Sequence, residues 1–368
     1  MGALSQAQSN GELPDAEVED AAIERPNNSE NGDFSCSLPL KLARSMRMNP
    51  LAIADKIAEG ISTDDIVDRV WTARPGFINF GLNPKWLAQQ VDVIIKAGKE
   101  FGRGSLSQKQ SIQIEFVSVN PTGPLHVGHV RGAVIGSALA NIMEAAGYDV
   151  QREYYVNDAG NQMELFHKSL YARYLQQFGQ DASIPDNGYQ GDYMIDLAAD
   201  IKNEVGDKYL SLEPEVGTRE IGLLGLRRMV DDIRDRLGRI GVVYDEWFSE
   251  ESLFGSGTYD EAIQIIQDRG YWEERDGAKW FTSSALGEDK DNVIIRSNGA
   301  HTYFASDIAY HYDKFKKRGF DRVINIWGAD HQGHVNRMKT AVKALGIDPD
   351  RLDLMIYQMV SFKRGDEL

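Results

Sequence analysis

The run from Asn120 to Gly132, NPTGPLHVGHVRG, constrains the fold more than any other part of this sequence. It follows SIQIEFVSV, whose apolar residues alternate as in a strand, and it leads into AVIGSALANIMEAAG, whose apolar residues recur as in a helix. A further strand-like run, YDVQREYYV, comes next. A strand over 111–119, a helix over about 127–146 and a second strand so close behind predict two parallel strands joined by a right-handed crossover. The same rhythm returns in DRVINIWG, HVNRMKTAVKALG and LDLMIYQMVSF. Together the two units predict an α/β fold built on a doubly wound parallel sheet. Residues 160–290 read as a mostly helical insertion in that sheet. It ends in a hairpin, YWEERDGAKWFT, with its turn at Asp276-Gly277.

With 368 residues the chain exceeds one small core, and a second domain is expected. Residues 1–32 read as loop. Helical patterns follow over 38–60, split by Pro50, and strand alternation over 66–82 surrounds a Pro-Gly turn. A helix starts at Pro84, and EFGRGSLSQKQ reads as a linker. The expected organisation is a smaller α+β domain over 1–108 and the parallel-sheet domain over 109–368.

The formal net charge of −16 argues against nonspecific nucleic-acid binding through a global positive field. It leaves open a nucleic acid read by a local basic surface, and it would suit a cationic small substrate. No apolar run reaches the roughly 18 residues of a membrane span. Cys36 is the only cysteine, so no internal disulfide forms. The acidic, polar start of the chain resembles neither a secretory signal nor a transit peptide, and a cytoplasmic address is expected. MGALSQ fits the loose myristoylation pattern, but no polybasic segment follows.

Ligands of doubly wound sheets bind at the carboxyl ends of strands, where the next helix offers free N–H groups and a partial positive charge to phosphate. Pro121 and Pro124 stiffen the turn there. Gly123 and Gly128 lack a Cβ and admit a flat base or a phosphate close to the backbone. His126 and His129, three apart, can point the same way and donate hydrogen bonds to phosphate oxygens whose charge changes during reaction. The glycines of the G-x-x-x-x-G-K-[ST] loop are missing, so an ordinary P-loop is not expected. The blander alternative is a structural helix start, one histidine capping and one packing. A second pair, His331 and His334 in GADHQGH, could with Asp330 and the first pair hold zinc. Neither pair has the H-E-x-x-H spacing, and a phosphate site accounts better for the glycines.

HVGH after NPTGPL resembles the HIGH signature of class I aminoacyl-tRNA synthetases. The stretch EFVSVNPTGPLHVGHVRGAVIGSALANIMEAAGYDVQREYYVNDAGNQM closely resembles the arginyl members. The likeness continues through TYFASDIAYHYDKF, VINIWGADHQGHVNRMKTA and MVSFKRG. GDFSCSLPLKLAR and RPGFINFGL resemble that family's additional N-terminal domain. The resemblance covers nearly the whole chain, weakly over about 1–30 and in the insertion. It implies a Rossmann-like, HIGH-type nucleotide-binding domain. It also implies ATP-dependent joining of L-arginine to tRNA(Arg) through an arginyl-adenylate, with Mg²⁺ on the phosphates. It assigns Pro121, Gly123, His126, Gly128, His129, Gly328 and Asp330 to ATP, with His126 and His129 catalytic and Asp330 on the ribose. Asn120, Tyr303, Asp307 and His331 or Gln332 are assigned to arginine, no residue is assigned to a resident metal, and a monomer is expected.

Two departures matter. Ser37 stands where the family usually has an asparagine. The chain also stops at FKRGDEL, before the KMSK-type lysine loop and the anticodon-binding domain that the resemblance implies. Members without that lysine tend to have one just before the HIGH element, where Gly123-Pro124 stands here, so a truncated copy is expected, inactive in full aminoacylation. A tRNA-binding fragment without turnover and an HxGH adenylyltransferase acting without tRNA are the alternatives.

Overall fold

The chain divides between Gly102 and Arg103, a few residues before the linker's expected end near 108. The later part of the linker is held by the second unit, because the Gly104 N–H donates to the Ala145 carbonyl at 2.7 Å. The computed structural model describes residues 1–18, 20–358 and 360.

The N-terminal unit begins with a helix where loop was expected. α1 (Gly2–Ser9) buries Leu4 and Ala7, which join Cys36, Leu42, Ile53, Ile57 and Ile78 in one core. Its eight residues are too few to show a helical period in the sequence. β1 (Ile23–Glu24), β2 (Phe34–Cys36), α2 (Leu38–Met46), α3 (Pro50–Glu59), β3 (Val67–Ala73), β4 (Phe77–Leu82) and α4 (Pro84–Ala97) follow. The strands form an antiparallel sheet in the order β1-β2-β4-β3. α3 and α4 start the same way: Asn49 and Asn83 accept from the Leu51 and Lys85 N–H groups, both at 2.9 Å, and a proline takes the first helical position. No residue of α4 is buried. Val91, Val93 and Ile95 are 54%, 49% and 72% exposed.

In the second unit, β5 (Ser111–Phe116), α5 (Val127–Ala145) and β6 (Asp149–Val156) form the expected crossover. α6 (Asn161–Gln176), α7 (Asp192–Val205) and α8 (Pro214–Arg239) follow. Their shared core includes Phe166, Leu170, Met194, Ile201 and Ile221. β7 (Glu246–Ser249), α9 (Glu251–Gly255), α10 (Thr258–Asp268), β8 (Trp272–Arg275), β9 (Ala278–Phe281) and β10 (Asn292–Ile295) come next. The chain then runs through α11 (Tyr303–Tyr312), β11 (Arg322–Gly328), α12 (Val335–Ala344) and β12 (Leu352–Tyr357).

β7 corrects the picture of one insertion over 160–290. It pairs in parallel with β6 and belongs to the main sheet. Four residues are too few to stand out among helices. The hairpin β8–β9 turns at Asp276 and Gly277, both with positive φ (51° and 73°) as a tight two-residue turn requires, and β10 adds a third antiparallel strand.

The main sheet is parallel throughout, in the order β12-β11-β5-β6-β7. The chain winds one way from β5 and later returns to β5's other edge through β11. The switch point therefore lies between the carboxyl ends of β5 and β11, where such sheets bind ligands. Ile112, Ile114, Phe116, Ile324 and Ile326 share a core with Ala133 and Ala140 of α5. Val323 and Leu352 pack among residues of α10, α11 and α12. α5 approaches β5 through Gly136, where an added Cβ would fall 2.1 Å from the Phe116 ring. No helix among the described residues is long and apolar enough to cross a membrane.

Candidate active site

β5 ends at Phe116, three residues before the expected end. Val117 and Ser118 turn the chain with positive φ (70° and 44°), a conformation costly for a β-branched residue. The surroundings hold this reversal. The Ser118 hydroxyl accepts from the Tyr155 N–H (3.1 Å), and the Tyr154 hydroxyl donates to the Val119 carbonyl (2.8 Å). Tyr193 of α7 reaches across to the Thr122 carbonyl (2.6 Å), so the insertion helps fix the loop. Pro121 is buried in it, and Gly123 lies near the Tyr193 ring.

His126 and His129 cap α5 reciprocally. His126 Nδ1 accepts from the Gly128 N–H (3.1 Å), and His129 Nδ1 accepts from the His126 N–H (3.4 Å). Their ring centroids are 3.6 Å apart. The capping of the blander reading is therefore present, with both rings taking part. A neutral ring that accepts at Nδ1 has its proton on Nε2. Each Nε2–H thus remains a donor outside the cap. Burial, then His126, lowers His129 to about 4, so it is neutral near pH 7. Asp330 pulls the other way, which puts the β11 end within electrostatic reach of α5. Gly328 ends β11 and opens a short 3₁₀ turn over Ala329–His334. Asp330 lies 3.5 Å from His331 Nε2.

A cavity of about 480 Å³ opens beside this helix start. Of the expected residues, Asn120, His129, Tyr303, Asp307 and His331 line it. Gln332 is exposed and is not on its wall. The 3₁₀ turn directs His331 and His334 to the cavity, three residues apart, and leaves Gln332 outside. Asn120 donates to the Gln162 side chain at 2.6 Å.

The lining is acidic. Asp307, one turn after Tyr303 on α11, faces Glu115 of β5 and Glu250, which follows β7. Burial, then Glu115 and Glu250, raises Asp307 to about 7. Burial also raises Glu250 to about 7. Glu250 Oε2, Asn157 Oδ1 and the Tyr155 hydroxyl are buried without a hydrogen-bond partner. Orphaned acceptors beside carboxylates are costly unless a ligand supplies donors. A multi-donor cation would answer both needs.

Glu115 and Glu250 were not foreseen. Glu115 had a visible signal, a lone charge inside the apolar run SIQIEF. Glu250 had none, because the short strand that delivers it lay hidden between helices. Among the described residues no group of three or more His, Cys, Asp or Glu could hold a metal ion.

The N-terminal unit has its own cavity of about 420 Å³, lined in part by Arg25, Ser37, Arg74, Phe77 and Asn79. Asn79 is 1% exposed. Its Oδ1 accepts from the Ser35 hydroxyl at 2.8 Å, while its Nδ2 has no partner.

Comparison with known proteins gives the following. Residues 90–365 match the family described as tRNA synthetases class I (R), catalytic domain, and residues 2–82 match the arginyl tRNA synthetase N terminal domain. An arginine–tRNA ligase of Dehalococcoides mccartyi is 49% identical over 366 residues, covering 100% of this chain and 66% of that protein. One from Heliobacterium modesticaldum is 48% identical over 347 residues, covering 94% of this chain and 62% of that protein. A solved Campylobacter jejuni protein, described provisionally as an arginyl tRNA synthetase, aligns with a TM-score of 0.68 at 34% identity, over 78% of this chain and 64% of that one. The chain thus spans slightly under two thirds of the length of these relatives.

Proposed function

The chain belongs to the class I tRNA synthetases of the arginine type, and from that premise we propose that it activates L-arginine with ATP and serves its transfer to tRNA(Arg). The observation that supports this best is a single cavity with both chemistries on its wall. His129 comes from the first turn of α5 and Asn120 from the loop before it, and Tyr303, Asp307, Glu115 and Glu250 form an acidic recess.

In this reading the guanidinium enters the recess. Its planar fork of N–H donors suits the carboxylates of Asp307 and Glu250 and the orphaned acceptor of Asn157. The Tyr303 ring covers it, and Asn120 and His331 meet its α-amino acid end. The arginine carboxylate then attacks the α-phosphorus of ATP, giving arginyl-adenylate and pyrophosphate. No general base is needed, because the nucleophile is already ionised. The Nε2–H groups of His126 and His129 would stabilise charge growing on the phosphates. Pro121, Gly123 and Gly128 would shape the backbone against the nucleotide, and Gly328 and Asp330 would meet the ribose. Mg²⁺ would arrive with the triphosphate. A tRNA hydroxyl then attacks the carbonyl carbon of the adenylate, the bond to phosphate breaks, and AMP leaves as the arginyl ester forms.

For tRNA, the N-terminal cavity offers an aromatic ring, two arginines and an unpaired amide, which suit an unstacked base and its phosphates. The expected setting is the cytoplasm, with the protein acting as a monomer.

The test is calorimetric titration of the chain with L-arginine, L-lysine and ATP, with arginine-dependent pyrophosphate exchange beside it. Arginine should bind at least about tenfold more tightly than lysine, whose point charge cannot fill a two-pronged site. Equal affinity for the two would overturn the reading.

A further inference from the structure

Behind the acidic recess, and sharing Glu115 with it, lies a buried polar row whose other members take no part in the proposed chemistry. Glu153 of β6, Glu115 of β5 and Asn325 of β11 are direct neighbours across the sheet. All three are buried, on the sheet face that carries α11. α11 ends in a π-helical turn, Asp313–Lys317, which brings two cations over the row. Arg318, just after the turn, grips Glu153 and Asp313. Lys314 is fully buried, with Nζ 2.6 Å from Glu115 Oε2, 2.9 Å from Asn325 Oδ1 and 3.9 Å from the Tyr310 ring centre.

The donor directions can be followed outward from Lys314. Its ammonium can only donate, so Asn325 Oδ1 accepts. Asn325 Nδ2 then donates to His311 Nε2 at 2.9 Å. With Nε2 accepting, the His311 proton sits on Nδ1, which donates to the Asp307 carbonyl at 2.8 Å. Burial, then Lys314, keeps His311 neutral, as this order of donors requires. One buried cation thus holds Glu115 on the cavity wall and, through two side chains, ties the turn of α11 that bears Asp307.

We propose that Lys314 is a positioning residue for the amino-acid pocket: it fixes the place of Asp307 and compensates Glu115, so that the recess presents a charge that one guanidinium can match. This rests on the reading of the cavity as the arginine site. The groups facing Asp307 are Glu115 from β5, the Tyr155 hydroxyl from β6, Glu250 from beyond β7, Arg337 from α12 and Lys314 itself. Without Lys314, Glu115 and Asp307 would repel each other with less compensation, and Asp307 would take up its proton at higher pH.

The experiment uses the whole chain with L-arginine and ATP as separate probes, titrated from about pH 5.5 to 8.5. Lys314→Met should weaken arginine at least about tenfold at neutral pH while ATP changes less than about threefold. The pH midpoint for arginine binding should move up by about one unit. Glu115→Gln/Lys314→Met, which removes both charges, should bring that midpoint back toward wild type. Asn325→Ala, which cuts the relay but keeps both charges, should weaken arginine without moving the midpoint. Should Lys314→Met fail to fold, the last two variants decide. Equal losses for arginine and ATP in the folded variants, or an unmoved midpoint with an unchanged arginine affinity, would overturn the proposal. Wild-type chain that binds no arginine would instead count against the substrate reading, a result distinct from any difference among variants.

Discussion

Asp307→Asn should move two measured quantities in opposite directions: arginine affinity down and thermal stability up. In the free protein this carboxyl is raised from its ordinary 3.8 to about 7, by burial first and by Glu115 and Glu250 next. The native state therefore retains a proton that the unfolded chain has already lost. Stability from this group is complete below the unfolded value and drains away as pH rises toward 7. The full displacement corresponds to at most about 4 kcal/mol, and the cavity's opening to water reduces that. Asparagine cannot ionise and escapes the loss. The variant should melt higher than wild type near pH 8, by an amount that shrinks toward about pH 5. Binding runs the other way, since removing one partner of a buried charge pair costs about 3–5 kcal/mol. Glu115 and Glu250 remain to attract the guanidinium, so the lower end applies: about 3 kcal/mol, or roughly 150-fold in Kd. ATP affinity should stay within about threefold. Calorimetric titration with each ligand and melting curves across this pH range measure both effects. A variant that melts lower than wild type near pH 8 and loses both ligands equally would refute the reasoning, because Asp307 would then be a structural carboxylate.

Three further outcomes are expected. In a protein shown to exchange pyrophosphate, His126→Ala or His129→Ala should lower the rate about 10²–10³-fold with little change in arginine affinity; near-normal exchange in both variants would remove the phosphate role. Wild-type arginine affinity should fall as pH drops below about 7, because the guanidinium favours the ionised Asp307 and Glu250; a flat profile from about pH 5.5 to 8 would contradict the raised values. Asn79→Ala should weaken tRNA binding while leaving arginine and ATP binding unchanged; unaltered tRNA affinity would leave the N-terminal cavity without that role.

The strand–turn–helix unit at 111–146 was legible because proline, glycine and a change of period coincide there. The return strand, β11, and α12 were legible because Gly328, Gly333 and a change of period mark the turn between them. What was lost has physical causes. α1 and β7 are shorter than the window in which a period shows. The end of β5 was placed too late because Val117, a strand former by composition, is forced to positive φ by tertiary hydrogen bonds at Ser118 and Tyr154. The resemblance supplied Tyr303 and Asp307, and the sequence marked the histidine pair. Glu250 reaches the same cavity only through sheet pairing. The final stretch read from the sequence, FKRGDEL, lies outside the described residues.

α4 has a bearing on how this protein behaves at the bench. A folded protein usually hides such aliphatic rows, and contiguous apolar surface of this kind draws other apolar molecules. On α4, Val91, Ile94 and Ile95 share one face and stand in water, and Val93 is exposed on another side of the helix. Hydrophobic reporter dyes would therefore find a docking place on the native chain, and their fluorescence would start from a high baseline before any heating. A melt followed that way would mix the signal of one exposed helix with that of the unfolding core, whereas calorimetry would not. The same row makes concentrated, high-salt solutions the conditions in which this acidic chain is most prone to self-associate, since salt screens the net charge of −16 and leaves the aliphatic row untouched.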